Sequence, residues 1–135
     1  MLDRIDRTFE PHLRALRLRA QRSELLAATI ANADTPHFQA KDFDFQSAYR
    51  NAVSARESSG IALTRTHPAH LGSAGVPDTG AKVLFRHPVQ PSIDGNTVEL
   101  DAEVGRYSEN ALRYQAALTF TSNRIRGLMT ALQGQ

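Results

Sequence analysis

The sequence predicts a mainly α-helical chain in which two long terminal helices pair as an antiparallel coiled coil, joined by an irregular middle segment with a few short β-strands. Apolar residues near both ends recur about every 3.5 residues, as in a coiled-coil seam. All but one of the six prolines lie between these two stretches. The chain therefore divides into a helix at residues 1–33, a middle segment at 34–95 and a second helix at 96–135.

The first helix carries apolar or small residues spaced three or four apart. The seam positions predicted to face the second helix are Phe9, Leu13, Leu16, Ala20, Ser23, Ala27 and Ile30. Pro11 predicts a kink or a helix that begins just after it, because proline lacks a backbone N–H and is tolerated in a first turn. Leu18 and Leu25 lie on the opposite side of the helical wheel, so we expect them to contact a neighbouring subunit.

The last helix has a stricter pattern of alternating four-residue and three-residue steps. Its predicted seam comprises Val104, Tyr107, Ala111, Tyr114, Leu118, Thr121, Ile125, Leu128 and Leu132. Asn96 followed by Glu99 resembles a capping box and predicts the helix start. Leu112 and Phe120 lie off this seam. Two helices alone make a thin core, so these two side chains are further candidates for contacts between subunits.

The middle segment has no continuous core pattern. Short strands are predicted at Ile61–Thr66 and Lys82–Phe85, between clusters of turn residues. Residues 46–60 and 71–82 are interpreted as mobile in the isolated chain.

Composition excludes several classes of function. A net charge of +2 does not favour a nucleic-acid surface, and the absence of cysteine excludes disulfides and zinc–thiolate sites. No stretch approaches the roughly 18 apolar residues of a membrane span. The first seven residues lack the apolar core of a signal peptide, so we expect no cleaved signal.

No group of residues forms a recognisable catalytic, metal or cofactor site. His67 and His70 are three residues apart, but no further ligand pattern accompanies them, so we expect no bound metal. Asp42 and Asp44 alternate with two phenylalanines, which predicts a strand with a solvated acidic edge. The sequence thus indicates a protein that is not an enzyme and needs no cofactor.

The end of the first helix carries a specific motif. Pro36 biases Thr35 away from helical geometry, and Asn32 can adopt the turn that ends a helix. The string Ala31-Asn32-x-x-Thr35-Pro36, with Phe38 two residues after the proline, resembles the signature of the flagellar axial proteins of the rod and hook. In that family the proline is normally followed by glycine and tyrosine, so His37 is a departure and Phe38 preserves the aromatic ring.

Three further strings narrow the resemblance within that family. Residues 41–45, 88–101 and 110–114 are similar to the pattern of proximal rod protein B. The chain lacks the Tyr-Pro-Asn-Val type of run that is expected before the last helix of rod protein C. The resemblance spans both helices and their flanking segments but little of residues 46–80.

The resemblance implies a structural subunit of the proximal rod of the bacterial flagellar basal body, polymerised in the periplasm through its terminal helices. It also implies export by the flagellar type III apparatus. Expected neighbours are other copies of the chain, rod protein C, the hook–basal body adaptor protein E and the inner-membrane ring. The alternatives left open are a rod C-type subunit, a cytoplasmic coiled-coil adaptor and, least favoured by the residues, a histidine-based metalloenzyme.

Overall fold

The computed structural model describes residues 2–54, 81–88 and 92–134. Its elements in chain order are α1 (Leu2–Ala31), β1 (Lys41–Asp42), α2 (Phe45–Ser54), β2 (Leu84–Phe85) and α3 (Leu100–Gln133). The prediction of a mainly helical chain with two long terminal helices is confirmed. None of the described helices is both long and apolar enough to cross a membrane.

The first helix runs through Pro11 without interruption, from Leu2 to Ala31. The expectation that it begins after Pro11 is therefore wrong. Glu10 and Arg14, one turn apart on either side of the proline, form an ion pair that supports this part of the helix. The proline removes one backbone donor, but the turns on both sides keep their helical geometry.

The short helix α2 was not predicted. Asp44 starts it, because its carboxylate oxygens accept hydrogen bonds from the backbone N–H groups of Gln46 at 3.1 Å and Ser47 at 3.2 Å. Asp44 is therefore a helix cap and not part of an acidic strand edge. Residues 46–54, expected to be mobile, are helical, while residues 55–60 lie outside the described part of the chain.

The two strands form a small antiparallel sheet in which Lys41 lies opposite Phe85 and Asp42 lies opposite Leu84. The predicted strand at Lys82–Phe85 thus exists in shortened form. The predicted strand Ile61–Thr66, together with His67 and His70, falls outside the described residues. The sheet lies close to both long helices, because Asp42 and the residue after β2 make ion pairs with them.

The apolar core lies between α1 and the middle segment. Leu18, Phe43 and Ala48 are almost fully buried together, and Leu25 and Phe45 pack against them. This side of α1 is opposite its predicted seam. The middle segment thus supplies the second layer that two helices alone lack.

Helices α1 and α3 are joined at Asn110, one of three buried polar residues of α3. Glu103, Asn110 and Thr121 are buried, and of these three only Thr121 belongs to the predicted seam. The amide of Asn110 donates to the carbonyl oxygen of Arg19 at 2.9 Å, and the Arg19 guanidinium donates to the Asn110 oxygen at 3.3 Å. A polar side chain thus fixes which turn of α1 lies beside which turn of α3.

The last helix begins at Leu100, with Glu99 as its N-cap, and not at Asn96. Residues 96–99 are not helical, because Asn96 makes other contacts. The helix ends at Gly134, whose φ of 70° is the left-handed conformation that commonly terminates helices.

Candidate functional site at the helix junction

The side chain of Asn32 holds the turn that follows α1. The amide of Asn32 donates to the carbonyl oxygen of Ala28 at 2.8 Å, and its own oxygen accepts from the Thr35 hydroxyl at 3.1 Å. The backbone N–H of Thr35 donates to the Asn32 carbonyl at 3.0 Å. Asn32 and Thr35, two residues of the family motif, therefore close the turn that ends α1, directly before Pro36.

Asn96 joins the start of α3 to this turn. Its side chain is buried, and its amide nitrogen lies 2.6 Å from the carbonyl oxygen of Ala33, 3.0 Å from that of Thr35 and 3.3 Å from that of Asn32. Its side-chain oxygen accepts from the N–H of Val98 at 2.8 Å. A single amide thus serves as donor to one signature string and as acceptor for the other.

The backbones of the two strings are also paired. The N–H of His37 donates to the Asp94 carbonyl at 3.0 Å, and the N–H of Thr97 donates to the Phe38 carbonyl at 3.1 Å. The Thr97 hydroxyl accepts from the N–H of Ala40 at 2.8 Å. We call residues 32–40 and 92–98 the junction clamp, because these bonds tie the exit from α1 to the entry into α3.

Two residues in the junction clamp adopt the left-handed backbone conformation and face each other. His37 has φ 60° and Gly95 has φ 72°. A Cβ atom added to Gly95 would lie 2.9 Å from Nδ1 of His37, closer than such contacts occur. Gly95 is therefore required both by its conformation and by the imidazole beside it.

Asp94 is the acidic residue of this turn. A hydrogen bond from the Ser92 hydroxyl, followed by one from the backbone N–H of Asn96, lowers the pKa of Asp94 below its ordinary value. The nearby His37 contributes a smaller part of the same shift. The carboxylate is thus an acceptor at neutral pH that fixes the turn before Asn96.

An ion network next to the junction clamp links the sheet to the two long helices. Arg22 of α1 binds Asp42 through two hydrogen bonds of 3.0 and 2.8 Å, and Arg86 lies 4.0 Å from the same carboxylate. Arg86 also pairs with Glu103 of α3, which receives a second ion pair from Arg106 at 2.9 Å. Since Glu103 is only 1% exposed, its charge depends on these two arginines. The network connects α1, the sheet and α3.

Arg19 connects all three helices. Its guanidinium lies 3.8 Å from the centre of the Phe45 ring in α2, in addition to its contacts with Asn110. Burial, and next the positive charge of Arg113, lower the pKa of Arg19 from its ordinary value. Arg19 therefore contributes packing and hydrogen bonds as well as charge.

The hydrogen bonds and ion pairs described above hold the helices and the sheet in place. Among the described residues no group of three histidine, cysteine or acidic side chains is placed to hold a metal ion. The carboxylates near the junction are engaged with arginines or with backbone N–H groups. The described part of the chain thus presents a structural junction.

Curated relatives share nearly the whole length of this chain. It is 45% identical to the flagellar basal body rod protein FlgB of Salmonella typhimurium over 136 residues, which covers 99% of both chains. It is 43% identical to the protein of the same name from Escherichia coli over 98% of both chains, and 46% identical to that from Cereibacter sphaeroides over 92% of both. No protein-family model matches. The chain belongs to the FlgB family of flagellar basal body rod proteins.

The FlgB-family motif residues predicted from the sequence meet in space. Asn32 and Thr35 contact Asn96 directly, and Phe38 pairs with Thr97 through its carbonyl. Ala31 is the last residue of α1, and Pro36 lies in the turn after it. The structure thus joins the motif at residues 31–38 to part of the 88–101 string in one site.

The predicted seam of this FlgB-family chain is largely uncovered. On α3 six of its positions are 38–82% exposed and Ala111 is also exposed, while Tyr114 is half-buried. On α1 Leu13, Ala20 and Ala27 are exposed, and Phe9, Leu16 and Ile30 are half-buried. The six exposed α3 positions are Val104, Tyr107, Leu118, Ile125, Leu128 and Leu132. The two seams do not close on each other within one chain.

The four candidates for contacts between subunits divide into two pairs. Leu112 and Phe120 are 73% and 71% exposed, as an assembly contact requires. Leu18 is 1% exposed in the chain's own core and Leu25 packs against that core, so the expectation for these two is wrong. The reason is that the middle segment covers the side of α1 that was predicted to be free.

Sequence reasoning missed the polar residues that connect the elements. Glu103 directly precedes the seam residue Val104 and Asn110 directly precedes the seam residue Ala111, and neither was predicted to be buried. Arg22 and Arg86 were not paired with Asp42, since their separation along the chain gives no local signal. From the sequence, a buried acidic residue on an amphipathic helix can be inferred only when basic residues elsewhere in the chain have no evident acidic partner.

Proposed function

We propose that this chain is a structural, non-catalytic subunit of the proximal rod of the bacterial flagellar basal body, which polymerises through its terminal helices. The observation that carries the proposal is the combination of a rigid helix junction with long apolar helix faces left uncovered in the single chain. The names of the relatives, which are flagellar basal body rod proteins, support the same role.

The helix faces are suited to assembly because they repeat with the coiled-coil period. A seam of this kind packs its side chains into holes formed by a facing helix, so sliding one helix past another must unpack several contacts together. Such contacts resist shear. We infer that α1 and α3 form an antiparallel coiled-coil core whose seams become fully covered only in the polymer, which is the property that a shaft transmitting torque requires.

The junction clamp supplies the second requirement, a fixed relation between the two helices. Asn96 and the paired backbones hold the end of α1 beside the start of α3, and the network through Glu103 holds the sheet against both. A subunit whose helices could slide would present a variable surface to its neighbours. The clamp thus keeps the assembly faces of each copy in the same register.

The proposed neighbours are other copies of this chain, rod protein C, the hook–basal body adaptor protein E and the inner-membrane ring, with delivery by the flagellar type III export apparatus into the periplasm. No partner is proposed among nucleic acids. Rod protein C and adaptor protein E would meet the ends of a short stack of copies, whereas copies would meet one another along the helix faces.

The test is complementation of a motile bacterium from which the resident FlgB-family gene has been deleted. Expression of this chain should restore swimming, and the chain should be present in purified basal bodies after detergent extraction. A matched control is the variant Asn96→Asp, which should be made but should not enter the rod. Swimming without this chain in the basal body, or its presence only in the cytoplasm, would contradict the proposal.

A further inference from the structure

An open groove runs between the two long helices on the side of their seams. Its walls include Ala20 and Ser23 of α1 and Tyr107, Ala111 and Tyr114 of α3, and its volume is about 420 Å³. All five are positions of the predicted heptad seams. Asn110, whose amide donates to the Arg19 carbonyl of α1, also lines this groove, so the two seams lie side by side across an open gap. The gap has the shape that a further helix could enter.

Three of the eight residues that line the groove are small, namely Ala20, Ser23 and Ala111. Alanine and serine at seam positions leave holes that a leucine or isoleucine side chain from a facing helix fills. Large apolar side chains of that kind are uncovered on the distal part of α3. Ile125, Leu128 and Leu132 are 45%, 41% and 82% exposed, and all residues from 122 to 133 are exposed. The spacing of these three side chains is the spacing of the groove's own seams.

Charges next to the two surfaces are complementary. Glu24 lines the groove and directly follows the seam residue Ser23. Arg124 directly precedes Ile125 on α3. Within the described part of the chain neither side chain has an ion-pair partner. In heptad terms these are the positions that flank a seam, where opposite charges select partner and orientation.

The occupant must come from another molecule. Ile125 lies fourteen residues beyond Ala111 in one continuous helix, so the two are roughly 20 Å apart at about 1.5 Å per residue. The distal part of α3 therefore cannot reach the groove of its own chain. A second copy brings the required seam, side-chain sizes and charge together.

We propose that the groove between α1 and α3 receives residues 122–133 of α3 from a second copy of this chain, with Arg124 facing Glu24. The inference rests on the proposed function, because it specifies the contact between copies in the polymer. Groove and inserted helix are different surfaces of the same molecule. The contact is therefore heterologous and adds subunits in one direction instead of closing a symmetric dimer.

Disulfide crosslinking tests this contact directly, since the chain has no cysteine of its own. Ala111→Cys is prepared with one size tag and Ile125→Cys with another, and the full-length chains are mixed at high concentration and oxidised. We expect a mixed disulfide dimer that is absent from each variant alone. A chain with both substitutions should give a ladder of multimers.

The matched control is Leu112→Cys in place of Ile125→Cys, since Leu112 is exposed on another side of the same helix. It should give at least about tenfold less mixed dimer, which corresponds to about 1.4 kcal/mol in binding. Two results would overturn the assignment. One is self-crosslinking of Ile125→Cys alone, which means that α3 pairs with α3. The other is crosslinking of Ala111→Cys only to a different basal body protein.

Charge exchange supplies an independent measurement. Glu24→Arg, in the background that carries both cysteines, should lower the yield of the ladder, and adding Arg124→Glu to the same chain should restore it. If the double exchange gives less ladder than either single exchange, the two side chains do not face each other and the proposal fails.

The same chains distinguish this inference from the function on which it rests. If they enter basal bodies and restore motility but give no ladder there, the groove assignment is wrong and the rod function stands. If they form the ladder in solution but never enter basal bodies, the rod function is wrong and the contact stands. Failure of both readouts overturns both.

Discussion

Replacing Asn96 should weaken the junction clamp, because its side chain joins the two segments of the clamp. Asn96→Ala removes the amide that lies 2.6–3.3 Å from three carbonyl oxygens and the oxygen that accepts from Val98. Each buried partner left without a hydrogen bond costs about 1–3 kcal/mol, but the turn after α1 is partly exposed, so water takes over some of these bonds. The expected loss in the free energy of unfolding is therefore about 2–3 kcal/mol for all these hydrogen bonds together, which is near the minimum that the cost per partner allows.

Asn96→Asp keeps the shape and should be more damaging at neutral pH. It places a carboxylate against carbonyl oxygens, so the pKa of the new acid should be raised in the folded state above the roughly 3.9 of the unfolded chain. A raised folded pKa means that the folded state binds the proton more tightly. The stability deficit relative to the parent should therefore be largest above the raised pKa and should shrink as the pH falls through it.

Urea unfolding of the purified chain, followed by circular dichroism at several pH values, measures both effects. The control is Asn123→Ala, an exposed asparagine in α3, which should change the free energy of unfolding by less than about 0.5 kcal/mol. The reasoning is refuted if Asn96→Ala loses no more than this control, or if the deficit of Asn96→Asp grows toward acid pH.

Three further predictions concern the same elements. His37→Gly should stabilise the fold by about 0.5–1 kcal/mol, because a left-handed backbone costs a non-glycine residue about 1–2 kcal/mol and glycine's added chain entropy offsets part of this gain; thermal unfolding that shows a loss would contradict it. Glu103→Gln should lower the free energy of unfolding by about 2–3 kcal/mol, because it leaves two arginines without their buried carboxylate. The control Glu109→Gln breaks an ion pair whose side chains are both 59% exposed and should lower it by less than about 0.5 kcal/mol. Equal losses of the two variants in urea unfolding would refute the role of burial. Ser92→Ala should raise the pKa of Asp94 toward its ordinary value of 3.8 in an NMR titration. A lowered folded pKa gives stability that is lost as the pH falls through it, so this variant should also lose less stability in acid than the parent. An unchanged pKa would exclude the Ser92 hydroxyl as the main cause of the lowered pKa.

The helices could be predicted because their signal is local and repeated. The seam of α3 runs over about eight turns, and no competing pattern has a comparable length, so the existence of that helix followed from the sequence. Its start did not. Asn96 has the right type and spacing for a cap, but its amide is engaged with the turn after α1, sixty residues earlier, and helix formation begins four residues later.

The direction in which each helix faces was harder to predict. The apolar pattern of α1 identifies a seam but does not say whether that seam meets the same chain or another one. Leu18 was assigned to the outside because it lies opposite the seam, yet Phe43 and Ala48 of the middle segment cover it. In the covering segment the alternation of Asp42 and Asp44 with two phenylalanines predicts a strand, but it does not predict which side of α1 that segment packs against.

The family motif could be recognised without showing what its residues do. As letters, Asn32 and Asn96 belong to two strings that resemble known rod proteins. Their physical role is a shared set of hydrogen bonds between the two strings, which only the folded chain brings together. His37 illustrates the limit, because the sequence shows only a departure from glycine, whereas the structure shows a left-handed residue packed against Gly95.

The central claim is that the uncovered face of α3 is an assembly surface and contributes little to the fold of one chain. Phe120→Ser tests it most directly, because Phe120 is 71% exposed and its loss should change the free energy of unfolding by less than about 0.5 kcal/mol. The measurement is the amount of this variant in basal bodies purified from the complemented deletion strain, compared with the parent chain at equal cellular levels. We predict a strong reduction in incorporation with unchanged stability. Normal incorporation of a stable Phe120→Ser chain would contradict the account.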